Sequence, residues 1–405
     1  MLVKIIDMSY DGNGVAKHGG KTIFIPHTDV GEEVEIEIVK SRSKFDVGSV
    51  TKVVKASSYR TIPPCPYYNE CGGCAFQQVG YQRELMLKKM ILQNELKKVG
   101  YIGDIDIEPS KSNYHYRNKI KLTHKQGELG YISAISHDFV GIKSCLLAES
   151  DILDAVNVAR EYLKKYKYAH LKSVYFRKFN DGVMVIFLFA KREAFLYDKI
   201  LDKFPIFLAE GEVLESDKAK IYKKHNVVKM SYKILDEEFK IDAKSFLQVN
   251  VDVAEKLYDF VVKNVDGKTV INAYSGQGVL SKLLAKKAEK VIGIECQKSS
   301  HDIAETIKTD NMTNYNAKVE EVISKLSKEA DFIVLDPARE GCKEKVLEEI
   351  IKSNIKNIIY ISCNFSTLTR DLKHLTKFYK IQKVKIFDMF PLTANMETCV
   401  VLEKY

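Results

Sequence analysis

No stretch of about 18 uninterrupted apolar residues occurs in the 405-residue chain, so no bilayer-spanning helix is expected. Residues 1–14 carry no basic segment followed by an apolar stretch and a cleavage site, and the expectation is a cytoplasmic protein with no membrane association. Internal repeats and low-complexity segments are also absent, which argues against solenoid architectures and long disordered tails. Neither sign of charge dominates. The 63 Lys and Arg against 54 Asp and Glu give a formal charge of +9, which favours a polyanionic partner without deciding for one.

What is present is enough apolar material, 45% of the residues, to bury a large core in two to three domains. The eight cysteines are Cys65, Cys71, Cys74, Cys145, Cys296, Cys342, Cys363 and Cys399. Without a secretion signal a disulfide scaffold is not expected. The close group of three points to a metal site, and the scattered ones to core packing or a nucleophile.

Residues 1–58 read as a small β-barrel. Lys21–Ile25 follows a His18-Gly-Gly turn, and Val34, Ile36 and Ile38 alternate with glutamates, as in half-buried strands. Gly12, Gly14, Gly31 and Gly48 punctuate this unit at turn-like spacing, and Lys40, Arg42, Lys44, Lys52 and Lys55 make its later part basic. Pro63-Pro64 breaks the chain and opens a central α+β domain over 59–240. Its first helix, near 82–99, presents Leu85, Leu92, Leu96 and Val99 on one face, stops at Gly100, and is a candidate for packing against the last domain. Strand signals such as 183–189 then predominate, with one helix near 151–166. Over 241–405 apolar strands alternate with amphipathic helices, the pattern of a Rossmann-like α/β domain with a parallel sheet covered on both faces; the strands expected are 269–273, 291–295, 332–336 and 358–362.

The first of these strands runs into Tyr274-Ser-Gly-Gln-Gly278, where two glycines let backbone approach a ligand, and the second ends in Glu295, placed to accept hydrogen bonds from ribose hydroxyls. Ser281 stands where a dinucleotide fingerprint has its third glycine, so pyrophosphate binding is disfavoured. The third and fourth strands end in Asp336-Pro-Ala-Arg339 and Ser362-Cys-Asn364, so four strand ends line one crevice at the carboxyl edge. Cys363 there is a nucleophile if its thiolate is stabilised and inert packing if it is buried. Glu397 ends a loop-like stretch from Asp388 and precedes an apolar strand, a setting that can raise a carboxyl into the range useful for proton abstraction; the plainer reading is a surface glutamate.

Cys65-x5-Cys71-Gly-Gly-Cys74 brings three thiolates within ten residues, and Cys145 is the one further cysteine before the α/β domain. Zinc and an iron–sulfur cluster both accept four cysteines, and spacing does not separate them. Between them Tyr114-His-Tyr-Arg-Asn-Lys-Ile-Lys121, flanked by Lys111 and Lys125, interleaves aromatic and basic residues as if to stack on unpaired bases and touch phosphates.

Taken in this order, the motifs resemble the RNA uracil-C5 methyltransferase family over essentially the whole chain, in particular its members acting on 23S ribosomal RNA. The resemblance implies an OB-like TRAM barrel, a central domain with a [4Fe-4S] cluster on Cys65, Cys71, Cys74 and Cys145, and an S-adenosylmethionine domain. Phe246-Leu-Gln248-Val-Asn250 matches a family motif, and Gln248, Tyr274, Glu295 and Asp336 match positions that bind S-adenosylmethionine. Cys363 matches the nucleophile and Glu397 the proton acceptor. The partner implied is RNA, with no obligate protein partner evident. Four residues depart from the family pattern: Asn272 for Asp, Ala338 for the second Pro of Asp-Pro-Pro, Phe365 for Pro after Ser-Cys-Asn, and Asn395 for His. Alternatives are a transfer-RNA uridine C5 methyltransferase, an amino-methyltransferase, which would need an aromatic after Asp336-Pro-Ala, and a non-catalytic RNA-binding or assembly factor.

Overall fold

The computed structural model describes residues 1–134, 136–214 and 218–405. In the first unit, the six-stranded sheet runs in the order Leu2–Lys4, Glu33–Ser41, Phe45–Lys55, Lys21–Ile25, Gly14–His18, Asp7–Met8. Its two edges are successive stretches of chain, joined through Ile5 and Ile6, so the sheet curls into a barrel around Val3, Ile5, Ala16, Ile23, Ile25, Val34 and Ile36. The expected alternation holds through Ile36 and fails at Ile38, which is exposed. Two of the four glycines expected in turns lie inside strands instead. A Cβ on Gly48 would come within 2.9 Å of Ile36 Cδ1, so glycine is there for close packing rather than for a turn.

The central seven-stranded sheet runs Phe139–Gly141, Glu128–Ile132, Lys119–Lys125, Leu171–Phe179, Gly182–Phe189, Ile206–Glu210, Lys220–His225. The helix Ser150–Lys165 covers one face with Ile152, Val156, Ala159 and Leu163. The other face carries Tyr175, Met184, Ile186, Leu188 and Phe207 into the same core as Val253, Leu257 and Val261 of the helix Val251–Asn264. Central and C-terminal units therefore share buried apolar surface.

The last sheet has eight strands in the order Met312–Asn316, Lys290–Glu295, Thr269–Ala273, Phe332–Leu335, Asn357–Ser362, Glu397–Lys404, Tyr379–Phe387, Asp106–Glu108. The first five are parallel, and Glu397–Lys404 is antiparallel to both neighbours. The edge strand Asp106–Glu108 comes from outside 241–405, pairing parallel with Lys385, Ile386 and Phe387.

Tyr81–Leu96 also packs on this unit. Leu87, Ile91, Leu92 and Leu96 join Leu368, Leu372 and Ile386 in one cluster, and the chain turns off at Gly100 with φ 78°. Its buried face carries two charged residues that the apolar pattern does not announce, Glu84 and Lys88, both fully buried. Lys88 Nζ donates to Glu84 Oε1 at 2.7 Å, to Asp388 Oδ1 at 2.6 Å and to the Phe390 carbonyl at 3.2 Å. Among the described residues no helix is long and apolar enough to cross a membrane. Lys88→Met should leave two buried carboxylates facing each other and destabilise the protein by about 3–5 kcal/mol, read as a lowered urea midpoint.

Candidate active site

Parallel strands covered on both faces end together, and their carboxyl ends here form the floor of a cleft. Thr269–Ala273 gives way to Tyr274 in the left-handed region (φ 62°), followed by Gly276 (φ 55°) and Gly278 (φ 81°). A Cβ on Gly278 would sit 3.0 Å from Ala304 Cβ, so this turn needs a residue without one. Asn272 Nδ2 donates to Ser281 Oγ at 2.8 Å, so the serine in the third-glycine position ties the strand to the helix Val279–Leu284 that follows it.

A cavity of about 470 Å³ opens above these strand ends. Gln248, Tyr274, Asp336, Arg339, Cys363 and Glu397 are among its walls. Three of the four residues expected around the cofactor thus converge. Glu295 lies outside the lining, and its carboxylate accepts hydrogen bonds from the backbone N–H of Gly276 at 2.9 Å and of Gln297 at 2.6 Å, which fixes the glycine turn.

A second cavity, about 600 Å³, lies between this face and the barrel and is lined by Tyr10, His27, Cys74, Asn364 and Asn395 together with Arg339 and Cys363. Cys363 and Arg339 line both. The thiol therefore stands where the two spaces meet.

Burial first, and the neighbouring carboxyls after it, oppose ionisation of this thiol. Burial pushes the Cys363 thiol up to about 11, the Glu397 carboxyl pushes it further, and the Arg339 guanidinium acts the other way. Burial raises Asp336 to about 7. Glu397, 5% exposed at the first position of its strand, is held well above the usual carboxylate range by burial and then by Asp336, with Arg339 again opposing. Sequence reasoning quoted Arg339 without giving it a part; its signal is its place at the end of Asp336-Pro-Ala-Arg339, one turn past a strand end. Tyr258 and Phe390 also line this cavity; Tyr258 lies in no motif, and Phe390 lies in the stretch leading to Glu397 but was given no part of its own.

Cys65, Cys71, Cys74 and Cys145 are all half-buried free thiols lining one cavity of about 250 Å³, beside Arg117 and Tyr131. Among the described residues no set of three or more Cys, His, Asp or Glu side chains has the geometry of a metal-ion site. The expectation that Tyr114 to Lys121 faces RNA is corrected in part. Tyr116 is buried and donates its hydroxyl to the Pro391 carbonyl at 3.0 Å, and Arg117 lies over its ring and lines the cysteine cavity, so this half of the stretch is interior architecture.

Residues 80–405 match the family described as tRNA (Uracil-5-)-methyltransferase, and residues 1–51 match the TRAM domain. The chain belongs to that methyltransferase family. It is 33% identical to an uncharacterized RNA methyltransferase of Bacillus cereus across 98% of this chain and 94% of that one. It is 30% identical to one of Staphylococcus aureus across 97% of this chain and 96% of that one. The Pyrococcus abyssi tRNA (uracil-54, C5)-methyltransferase, solved with S-adenosyl-L-homocysteine, shares the fold at a TM-score of 0.80 and 24% identity, covering 99% of this chain and 100% of that one. Family membership makes the protein an S-adenosylmethionine-dependent RNA methyltransferase acting on carbon 5 of uracil.

If Arg339 is what favours the thiolate, iodoacetamide should label Cys363 slowly at neutral pH and faster as pH rises toward about 11. Arg339→Met should slow labelling at every pH below that. Peptide mass spectrometry of the free protein measures this, and faster labelling in the variant would contradict the electrostatic account.

Proposed function

We propose that this protein methylates carbon 5 of a uridine in 23S ribosomal RNA, with Cys363 as nucleophile and Glu397 as base. The observation that carries the reading is the place of Cys363 at the junction of two cavities, one for a cofactor and one open to the barrel, with the Glu397 carboxyl near enough to raise its pKa. Carbon 5 of uracil is a poor nucleophile. Addition of the Cys363 thiolate to carbon 6 turns it into an enolate, whose carbon 5 takes a methyl group as the carbon–sulfur bond of the donor breaks. The Glu397 carboxylate then removes the proton from carbon 5, and the bond between carbon 6 and Cys363 breaks to restore the ring and the thiolate. A carboxyl held above its usual range by burial is suited to that proton transfer, and Arg339 favours the thiolate at the start and end of the cycle.

S-adenosylmethionine supplies an electrophilic methyl group when bound. Gln248, Tyr274 and Asp336 would hold it in the 470 Å³ cavity, and Glu295 would shape the turn beneath it while offering its remaining acceptor sites to the ribose. The cavity volume and the polar groups at the strand ends fit a nucleoside of that size.

A [4Fe-4S] cluster on Cys65, Cys71, Cys74 and Cys145 is the group that the family resemblance favours over zinc. Zinc draws four sulfurs onto one point at about 2.3 Å, whereas a four-iron cluster takes one thiolate per iron and fills space between them. All four thiols line one cavity, which supports a shared ligand without giving its geometry. The methyl transfer needs no electron, so the cluster has a structural role.

The barrel combined with four cysteines supports ribosomal RNA, because relatives specialised for transfer RNA in bacteria usually lack both. The fold is nonetheless shared with a P. abyssi enzyme described as acting on tRNA, so transfer RNA is the second reading. Labelled S-adenosylmethionine and unmodified total RNA decide between them. The expected product is 5-methyluridine in large-subunit RNA, reduced to background by Cys363→Ala, while Glu397→Gln leaves methylated RNA bonded to protein on a denaturing gel. Label in transfer RNA alone would change the substrate, and label undiminished in Cys363→Ala would overturn the chemistry. Cluster-depleted protein should lose folding and RNA binding together; loss of methylation with both retained would refute the structural role.

A further inference from the structure

The reaction just proposed requires the target uracil to leave its stack and reach Cys363, which exposes the face of the neighbouring base. One residue of the barrel is placed to meet that face. Tyr10 is 65% exposed and lines the same 600 Å³ cavity as Cys363. A single exposed tyrosine is ordinary on a protein surface. Three observations set this one apart.

The first is that its loop is fixed. Between the strands Asp7–Met8 and Gly14–His18, Ser9 N–H donates to the Asn13 carbonyl at 2.8 Å, Gly12 N–H to the Ser9 carbonyl at 3.0 Å, and Asn13 N–H to Ser9 Oγ at 3.1 Å. The second is that the loop is docked on the catalytic side. Gly12, at φ 79°, lies so close that an added Cβ would meet Ala75 Cβ at 2.8 Å and Ala394 Cβ at 3.2 Å, and Met8 is 4% exposed in the same cluster as Phe76, Leu92 and Phe365. The barrel is therefore held against the α/β unit at this loop. The third is that the ring has a seat. It meets Phe365 edge to face, with centroids 6.4 Å apart at 72°, and Phe365 is 6% exposed two residues after Cys363.

We propose that Tyr10 is a base-stacking residue whose exposed ring takes the face of the base next to the target uridine once that uridine has turned out toward Cys363. A ring held by its loop and seated on a buried phenylalanine loses little freedom on stacking, and any base offers a face, so the contact pays for unstacking without reading sequence. This inference rests on the proposed reaction at Cys363.

The test is kcat/KM for methyl transfer to unmodified total RNA with Tyr10→Phe, Tyr10→Leu and Tyr10→Ala, alongside S-adenosylmethionine affinity and melting temperature. Tyr10→Phe should match the wild type. Tyr10→Leu keeps an apolar contact on Phe365 but has no ring face, and both it and Tyr10→Ala should lose about 5- to 150-fold in kcat/KM, with cofactor affinity and melting temperature unchanged. Equal rates for the leucine and phenylalanine variants would overturn the proposal, as would a loss matched by weaker cofactor binding or a lower melting temperature. Cys363→Ala in the same assay separates the two claims. If it is inactive while the Tyr10 series is flat, only the stacking inference falls; if it still methylates, or if the wild type methylates no RNA, the underlying reaction falls with it.

Discussion

Lys88 is an ammonium with no exposure, and moving it and its two carboxylate partners out of water costs several kcal/mol for each charge before anything is gained. Good hydrogen-bonding geometry offsets that cost, and the bonds reach well beyond the three charges. Glu84 Oε1 also accepts the Leu392 backbone N–H at 2.6 Å, and Asp388 Oδ2 accepts the Tyr81 hydroxyl at 2.7 Å. That hydroxyl accepts Ser110 N–H at 2.9 Å, and Ser110 Oγ accepts Asn250 Nδ2 at 2.9 Å. One buried network thus joins the helix Tyr81–Leu96 to the segment 388–396 and to the Phe246-x-Gln-x-Asn250 motif. Phe390 of that segment walls the cofactor-side cavity, and Thr393, Ala394 and Asn395 wall the other. A hydrophobic replacement of the triad could be more stable, but it would not specify where this segment sits.

The same segment reaches the cysteine site. Leu392, 2% exposed and held at φ 66°, turns its carbonyl to the backbone N–H groups of Ala75 and Phe76 at 2.8 and 3.1 Å. Its side chain packs with Tyr116 and Leu147, against which Cys74 and Cys145 also lie. A leucine in the left-handed region costs roughly 1–3 kcal/mol and persists only where surrounding bonds determine it. Here those bonds come from Glu84 on one side and from the chain following Cys74 on the other. The four-cysteine cavity is thereby tied through Leu392 to the walls of the active site.

The parts of the fold legible in sequence were those with strong periodicity. Buried parallel strands read as continuous apolar runs, so Thr269–Ala273 and its three partners could be placed to within a residue at most ends, and with them the crevice where Tyr274, Asp336 and Cys363 meet. Gly100 announced the end of its helix. Features made by distant residues left no such trace. Asp106–Glu108 is three residues long and becomes a strand only because Tyr379–Phe387 offers it an edge. Nothing local reveals the burial of Glu84 and Lys88, because Asp388, which Lys88 meets, lies 300 residues later. The aromatic and basic run at Tyr114–Lys121 carried the composition of an RNA-binding face, but burial of Tyr116 against Pro391 put half of it inside. Arg339 was in plain view, and its importance follows only from two cavities meeting at one point.

The four departures from the family pattern gain a common meaning from their positions. Asn272 and Ala338 line the cofactor-side cavity, and Phe365 and Asn395 line the cavity facing the barrel. Asn272 has a partner of its own in Ser281, so the position is internally satisfied without the carboxylate usual there, and one fewer negative charge accompanies Asp336 and Glu397 in the same cavity. Phe365 replaces a proline with a ring that supports Tyr10 and is the first residue of the helix Phe365–Leu375, which Asn364 caps by accepting Ser366 N–H at 3.1 Å. None of the four replaces the thiol or the carboxyl on which the proposed reaction depends. The variation is thus confined to the walls of the two cavities that meet at Cys363 and spares both Cys363 and Glu397.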